Sequence, residues 1–476
     1  MNYYFLGIGG IGMSALARYF KQCGHIVSGY DRTESPLTKQ LESEGMAIHY
    51  TDDPSLIPDD IDLVIYTPAV PQDTKEFIFL QNKNIPFKKR SQVLGELTRG
   101  KKCIAVAGSH GKTTTTAMIA HILDKSGVGC SAFLGGISKN LDSNLLVNDK
   151  SEYIVVEADE YDRSFLQLHP LYSVIKATDP DHLDIYGTHE NLLQAFEQFA
   201  NQTMPEGAII VKEGVVGHHH EHEHEHDSHH SHEIDNHTST SEYSPRELHI
   251  SEEHNVLTYS ARSIEPDYYA INVRNYNGNI YFDLRTPQKV LFDMELQASC
   301  LYNVENAVAA SAISLLCGVD EYQLRNGLRT FAGIRRRFDF RVKQKDIVYI
   351  DDYAHHPREI SATIESVKYL YPGKRIVGIF QPHLYSRTRD LADQFAEALA
   401  PLDEIILIPL YPAREKPIPG VSSGMILRKI DTMNKYLCSP EEVGDLVEAL
   451  YPDVVLTMGA GDIDRLVPVL ENRLKQ

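Results

Sequence analysis

Short apolar runs alternate with amphipathic stretches along most of the chain. Residues 3–7 are an apolar run, the pattern turns helical over 13–23, and 25–29 is again strand-like, ending at Asp31. Another apolar run lies at 63–66, with Thr67-Pro68-Ala69 as the loop behind it. A second unit opens at Lys101. It has a strand at 103–107, a tight loop at 108–112, a helix at 113–126 and buried-strand patterns at 153–157 and 173–177. A third unit follows the basic run Arg335-Arg336-Arg337. Strands at 347–350, 375–380, 404–409 and 454–457 alternate there with helical patterns at 358–370, 389–399 and 440–450. Short continuous apolar runs separated by helices mark strands covered on both faces, hence parallel sheets. The expected fold class is α/β, in three consecutive domains: 1–98, 99–333 and 334–476.

The stretch 217–244, GHHHEHEHEHDSHHSHEIDNHTSTSEYS, breaks the pattern. It has almost no apolar residue to offset its ordering entropy, so a disordered insertion in a surface loop of the second domain is expected. Its histidines suit divalent transition metals; the favoured reading is a solvated low-complexity expansion whose metal binding is adventitious.

A length of 476 residues exceeds what one core holds. The net charge of −20 argues against nucleic acid as the main partner, because backbone phosphates need a basic surface. Small anions in local pockets remain compatible with it. Cys23, Cys103, Cys130, Cys300, Cys317 and Cys438 include no close pair, which fits a reducing compartment better than a zinc motif or a disulfide framework. No stretch reaches the ~20 apolar residues of a membrane helix. The first apolar run ends in Ala15-Leu16-Ala17, like a signal-peptidase site. No basic residue precedes it and glycines interrupt it, so a cytoplasmic chain without membrane contact is expected, as a monomer or weak homodimer.

Two glycine-rich loops carry the first chemical signals. In Gly7-Ile8-Gly9-Gly10-Ile11-Gly12, the glycines let backbone N–H groups approach a diphosphate at a helix N-terminus, and Asp31 ends the next strand, where an acid reaches a ribose hydroxyl. This gives the first domain a Rossmann-like character. Gly108-Ser109-His110-Gly111-Lys112-Thr113-Thr114 sits between a strand and a helix and suits a triphosphate. Lys112 would neutralise the β/γ-phosphates and the Thr113 hydroxyl would take Mg²⁺. The first glycine of the general consensus falls at Val106, so this P-loop-type central domain has a shortened loop. Glu157, Asp159, Glu160 and Asp162 crowd a neighbouring strand end, as Mg²⁺ ligands do, and His182 lies in Asp181-His182-Leu183-Asp184 behind another strand. The Rossmann-like third domain offers Arg337, Asp352, His355-His356-Pro357, His383 and Arg387 near strand C-termini, where open α/β sheets bind ligands.

In this order, and with Asn303-Val304-Glu305-Asn306-Ala307 and Gly333-Ile334-Arg335-Arg336-Arg337-Phe338-Asp339, the motifs resemble the Mur ligase family over essentially the whole chain outside 217–244. The resemblance implies an ATP-dependent amide ligase of peptidoglycan synthesis acting on UDP-N-acetylmuramate. His110, His355-His356-Pro357 and Gln381-Pro382-His383 point to L-alanine as the amine. It places the UDP diphosphate on Gly9, Gly10, Ile11 and Gly12, with Asp31 beside it, and ATP on residues 108–114. Mg²⁺ falls to Thr113 and Glu157, and a second Mg²⁺ to His182. Asn303 and Asn306 resemble the adenine-side pair, Arg337 and Asp352 would meet phosphates and ribose, and His356, His383 and Arg387 would line the amino-acid and lactyl end. Lys112, His182 and Arg337 are thereby the catalytic candidates. Tyr302 stands where the family often has His, Ser109 where Thr is common, and no lysine lies between Lys176 and Lys212 to be carbamylated as in some relatives.

The nearest alternative joins a preformed tripeptide to the same UDP-sugar. The loop at 7–12 alone also suits a nicotinamide-dependent dehydrogenase, against which the triphosphate loop argues. A metal-binding protein built around the His tract is the alternative of another class.

Overall fold

The computed structural model describes residues 1–180, 183–216, 247–276, 278–297, 299–413 and 415–475. The insertion 217–244 and His182 lie outside them. Three sheets follow one another along the chain. The first has five parallel strands, in the order Ala47–His49, Ile26–Tyr30, Asn2–Leu6, Leu63–Tyr66, Phe87–Lys89. Successive side chains of its central strand serve opposite faces. Tyr3 and Phe5 pack with Met13, Leu16 and Phe20 of helix Ile11–Gln22, and Tyr4 and Leu6 with Phe77 and Leu80.

The second sheet has ten strands. At its centre Pro170–Ile175, Lys102–Ala107, Tyr153–Glu157 and Ser131–Ser138 run parallel. Helices Lys112–Ser126 and Tyr302–Leu316 pack against it through Met118, Ile122, Val304 and Val308. One flank carries an antiparallel meander, Tyr268–Tyr276, Asn279–Arg285 and Val290–Leu296. The hydrophobic pattern did not signal it. These strands mix polar and apolar positions and pair largely with one another, so neither a continuous apolar run nor an intervening helix marks them.

The third sheet has the order Asp339–Lys343, Val348–Asp352, Val454–Met458, Ile376–Phe380, Glu404–Leu407, Lys435–Leu437, with only its first pair antiparallel. The helical pattern at 389–399 divides into Tyr385–Asp390 and Ala392–Leu399, because Leu391 (φ −116°, ψ 17°) leaves helical geometry.

Apolar packing runs from the first sheet into the second and from the second into the third. A buried polar tie reinforces the first junction. Arg18, 3% exposed, donates to Glu44 at 2.8–3.0 Å and to Asn144 Oδ1 at 2.5 Å. Asn144, on the strand Ser143–Leu146, donates back to the Ile11 carbonyl at 2.6 Å. Among the described residues no helix is long and apolar enough to cross a membrane.

Candidate active site

The strand order places three segments at one sheet edge: the loop after Lys102–Ala107, the acids after Tyr153–Glu157 and the chain after Pro170–Ile175. Val106 is a fully buried strand residue, which is why the loop is short. Gly108 (φ +129°) and Gly111 (φ +78°) turn the chain where a side chain is both strained and obstructed. Ser109 is pinned by its N–H to the Ala177 carbonyl at 2.7 Å and by its hydroxyl to the Asp179 carbonyl at 2.9 Å.

Lys112 opens the helix Lys112–Ser126, and its Nζ donates to the Gly108 carbonyl at 2.7 Å and to both Glu160 oxygens at 2.8 and 2.9 Å. Burial pulls this amine down, but Glu160, then Asp159 and Glu157, outweigh it and hold it above its ordinary value. Glu160 is therefore the partner of Lys112, a role that the crowded acidic motif left unassigned.

Glu157 differs from Glu160. Its Oε2 is buried and accepts no hydrogen bond among the described residues, and burial raises its carboxyl against the pull of Lys112. A Cβ on Gly135 would fall 2.0 Å from that oxygen, so the backbone leaves space for it. An orphaned carboxylate oxygen near buried Thr113 and Lys112 is costly alone and fits a divalent cation that phosphate oxygens would complete. Among the described residues no group of three or more His, Cys, Asp or Glu gathers to hold a metal alone.

In the first unit, Gly7 (φ +85°) starts the turn, and helix Ile11–Gln22 begins without a side-chain cap, leaving its first amides for a ligand. Gly10, Ile11 and Gly12 line a cavity of about 260 Å³ that reaches Glu157 and Asp159 of the central unit. Asp31 is not on its wall. Its carboxylate accepts from Gly9 N–H at 2.8 Å and Thr33 N–H at 3.0 Å, so it shapes the glycine loop. Arg90, which the sequence reading passed over, is the cation on that wall among the described residues. Its guanidinium lies 2.8 Å from where a Gly12 Cβ would be and 3.5 Å from Asp159. Nothing local distinguishes Arg90 from the basic run Lys88-Lys89-Arg90, and only the fold brings it to the glycine loop.

The third unit closes the site from the other side. The arginine run divides into three roles. Arg335 pairs with Asp142; Arg336 bonds the Gly459 carbonyl at 2.7 Å and Asp351 at 3.3 Å; Arg337 lies 4.0 Å from Glu359 and 4.9 Å from the Tyr353 ring. Arg336 (φ +62°) and Phe338 (φ +47°) both occupy the left-handed region, so strained backbone flanks Arg337 on each side. Asp352 is spent on protein donors: Tyr302 Oη at 3.0 Å, Phe338 N–H at 2.9 Å and Ala354 N–H at 2.8 Å. Burial lifts its carboxyl to about 6 against the pull of Arg337. Tyr302 thereby ties the central helix to the third sheet.

His356 caps helix Pro357–Leu370, and its ring centroid is 6.1 Å from that of His110 on the triphosphate loop. His110 stands between Glu359, 3.4 Å away, and Asp179, 3.6 Å away. Asp179 in turn pairs with Arg358. Burial would raise Glu359, but His110, His355 and Arg337 hold it well below the ordinary carboxylate range. Glu359 is a second residue that sequence reasoning missed. His383 stacks on Tyr411 with centroids 5.8 Å apart and meets His355 at 6.1 Å, while Arg387, on the helix Tyr385–Asp390, acts electrostatically on His355. Leu384 between them takes φ +70°, a second strained point at the predicted amino-acid end.

Asn303 and Asn306 are buried and engage each other at 2.7 Å, with Asn306 Oδ1 also accepting from Thr115 at 3.2 Å. Thr114 is buried beside Thr115 on helix Lys112–Ser126.

Three family models match the chain: "Mur ligase family, catalytic domain" over residues 2–102, "Mur ligase middle domain" over 106–314, and "Mur ligase, glutamate ligase domain" over 336–461. A UDP-N-acetylmuramate–L-alanine ligase of Parabacteroides distasonis is 48% identical over 480 residues, covering 99% of this chain and 97% of that protein. The crystal structure of a UDP-N-acetylmuramate–alanine ligase from Thermotoga maritima superposes with a TM-score of 0.80 at 27% identity, covering 100% of this chain and 99% of that one. A murein peptide ligase from Psychrobacter arcticus shares the fold with a TM-score of 0.67 at 22% identity, covering 100% and 98%.

Proposed function

This chain belongs to the Mur ligase family, and from that premise we propose that it joins L-alanine to the lactyl carboxylate of UDP-N-acetylmuramate at the expense of ATP, in peptidoglycan precursor synthesis. The observation that carries the reading is a cavity that runs from Gly10–Gly12 to Glu157, whose carboxyl interacts with Lys112 and Thr113 of the triphosphate loop. It gives a UDP-linked acid a path from a diphosphate seat to a phosphoryl donor.

A carboxylate resists attack by an amine until its oxygen is made a leaving group. The γ-phosphoryl of ATP passes to the lactyl carboxylate, releasing ADP and leaving an acyl phosphate. The alanine amine then attacks the acyl carbon, and phosphate departs from the tetrahedral intermediate. In this reading the backbone of 108–111 cradles the phosphates and Lys112 turns from Glu160 toward them. Arg337 approaches from the third unit, Arg90 balances the diphosphate, and His356, His383 and Arg387 gather around the amine. Asn303 and Asn306 form the adenine side. Asp352 acts indirectly, holding the third unit against Tyr302. Glu157 and Thr113 would hold Mg²⁺, which supplies charge neutralisation on the transferring phosphoryl group. His182 is kept as a second Mg²⁺ ligand from its motif. The UDP-linked substrate places the reaction in the cytoplasm.

The test is ADP release by the purified full chain. Release that requires both UDP-N-acetylmuramate and L-alanine supports the reading; release driven by a preformed tripeptide, with L-alanine inert, overturns it. Deleting 217–244 is expected to leave ligation intact, whereas a protein built around its histidines would lose its main function.

A further inference from the structure

One buried cation stands apart from every role assigned so far. Lys176 follows the strand Pro170–Ile175, is 2% exposed, and ranks among the largest fully buried side chains. Its stem runs beneath the triphosphate loop. A Cβ on Gly108 would fall 2.8 Å from Lys176 Cβ, and one on Gly111 would fall 2.6 Å from Lys176 Cε. Its ammonium donates to Tyr259 Oη at 3.3 Å and lies 5.5 Å from the centre of that ring. The nearest carboxylate, Glu305, is 4.0 Å away and is shared with Lys212, which holds it at 3.0 Å. One carboxylate therefore faces two ammonium groups. Burying a lysine this deeply with so little compensation is expensive unless something further completes its charge.

We propose that Lys176 is a positioning residue for the nucleotide phosphates: it fixes the shape of the loop 108–111 from below, and its ammonium supplies positive charge that an anion seated on that loop completes. The inference rests on reading the loop as the ATP site. The charged and titratable groups packed around it are Glu305 on helix Tyr302–Leu316, Lys212 on strand Ala208–Lys212 and Tyr259 on strand Val256–Ser260; His110 and Lys112 flank Gly111 along the loop that its stem supports. Burial pulls the Lys176 amine down, Glu305 pulls it up and Lys212 pulls it down again, which leaves it at about 8. Tyr259 is pushed well above its ordinary range and Lys112 is held high, so neither titrates in that window. An anion above the loop favours the charged amine. Its binding therefore draws in a proton near that value, and nucleotide affinity falls as pH rises through it.

Calorimetry of MgATP binding to the full chain, in buffers of different ionisation enthalpy, reads this proton directly. The wild-type chain is expected to take up a proton on binding near its Lys176 titration. Lys176→Met keeps the stem and removes the charge. It is expected to take up none, to bind MgATP about tenfold more weakly at about pH 7, and to show a flat affinity profile from there upward. Its affinity for UDP-N-acetylmuramate should be unchanged, which reports that the fold is intact. Because Glu305 raises the amine, Glu305→Gln should move the uptake maximum to lower pH, and this arm decides if the methionine variant does not fold. Uptake that persists in Lys176→Met, or a maximum that stays in place in Glu305→Gln, overturns the proposal. A wild-type chain that binds no MgATP overturns the nucleotide reading itself, and the inference with it.

Discussion

Lys112 and Glu160 illustrate how one side chain serves two ledgers. Glu160 is 1% exposed and its charge is neutralised by Lys112 at 2.8 Å. Lys112→Ala removes the proposed phosphate contact and strands a buried carboxylate together. ADP release should fall by about 10²–10³-fold and stability by about 3–5 kcal/mol. Adding Glu160→Gln to a Lys112→Met chain should restore the melting temperature without restoring ADP release; recovery of turnover in that pair would refute a phosphate role for Lys112. Asp352 gives a pH prediction. Its carboxyl is lifted to about 6, so between its ordinary value of 3.8 and that point the folded chain holds a proton the unfolded chain has shed. Its contribution to stability is therefore greatest at low pH and declines as pH rises through this window. Tyr302→Phe removes a donor to the ionised form and should cost about 1 kcal/mol at about pH 7, less at about pH 5. Urea denaturation at both values checks this, and a deficit that does not grow with pH contradicts it.

At the scale of elements, helix Pro357–Leu370 shows a terminus doing duty on two sides. Glu359 accepts from the His355 and His356 amides at 3.1 and 3.3 Å, which satisfies otherwise open helix donors, while its other oxygen faces His110 and Arg337. Glu359→Gln keeps the acceptor and loses the charge. The free energy of unfolding should fall by about 1–3 kcal/mol, because His110, His355 and Arg337 lose the carboxylate they hold low, while the KM for ATP rises about tenfold with kcat for saturating substrates less affected. A loss of stability with an unchanged KM for ATP would make Glu359 a cap only. The same helix shows how far the sequence was legible. The glycine loops, the acidic strand end and the Pro357 helix start were readable because each motif is local and its geometry follows from a few adjacent residues. Arg90, Glu359 and the Lys112–Glu160 pairing were not, because each depends on where a distant segment lands. Asp31 was legible as a strand-end acid, but its hydrogen bond to Gly9 was not, because that depends on how the glycine loop folds over the strand. The Tyr268–Leu296 meander lacked the continuous apolar runs that betrayed the parallel strands.

For the molecule as a whole, the proposed reaction needs the diphosphate seat of one sheet, the phosphoryl donor of another and Arg337 of the last to meet. Asn144 holds the first of these junctions, bonding Arg18 and the Ile11 carbonyl next to Gly10 and Gly12. Asn144→Ala leaves these buried groups short of a partner and should cost about 1–3 kcal/mol. The KM for UDP-N-acetylmuramate should rise while that for ATP stays near its wild-type value; a rise in ATP alone would place the tie elsewhere. Each sheet is also assembled from its own stretch of chain, 2–89, 102–296 and 339–458 among the described residues, and borrows no strand from the others. A polypeptide leaving the ribosome can thus finish one lobe before the next has been translated. What must wait is the lobes' mutual contact: Tyr19 meets Phe133 only after the middle lobe exists. During synthesis the unprotected surface is therefore the seam between lobes, and a chain stalled after its first hundred residues would present that greasy seam to chaperones.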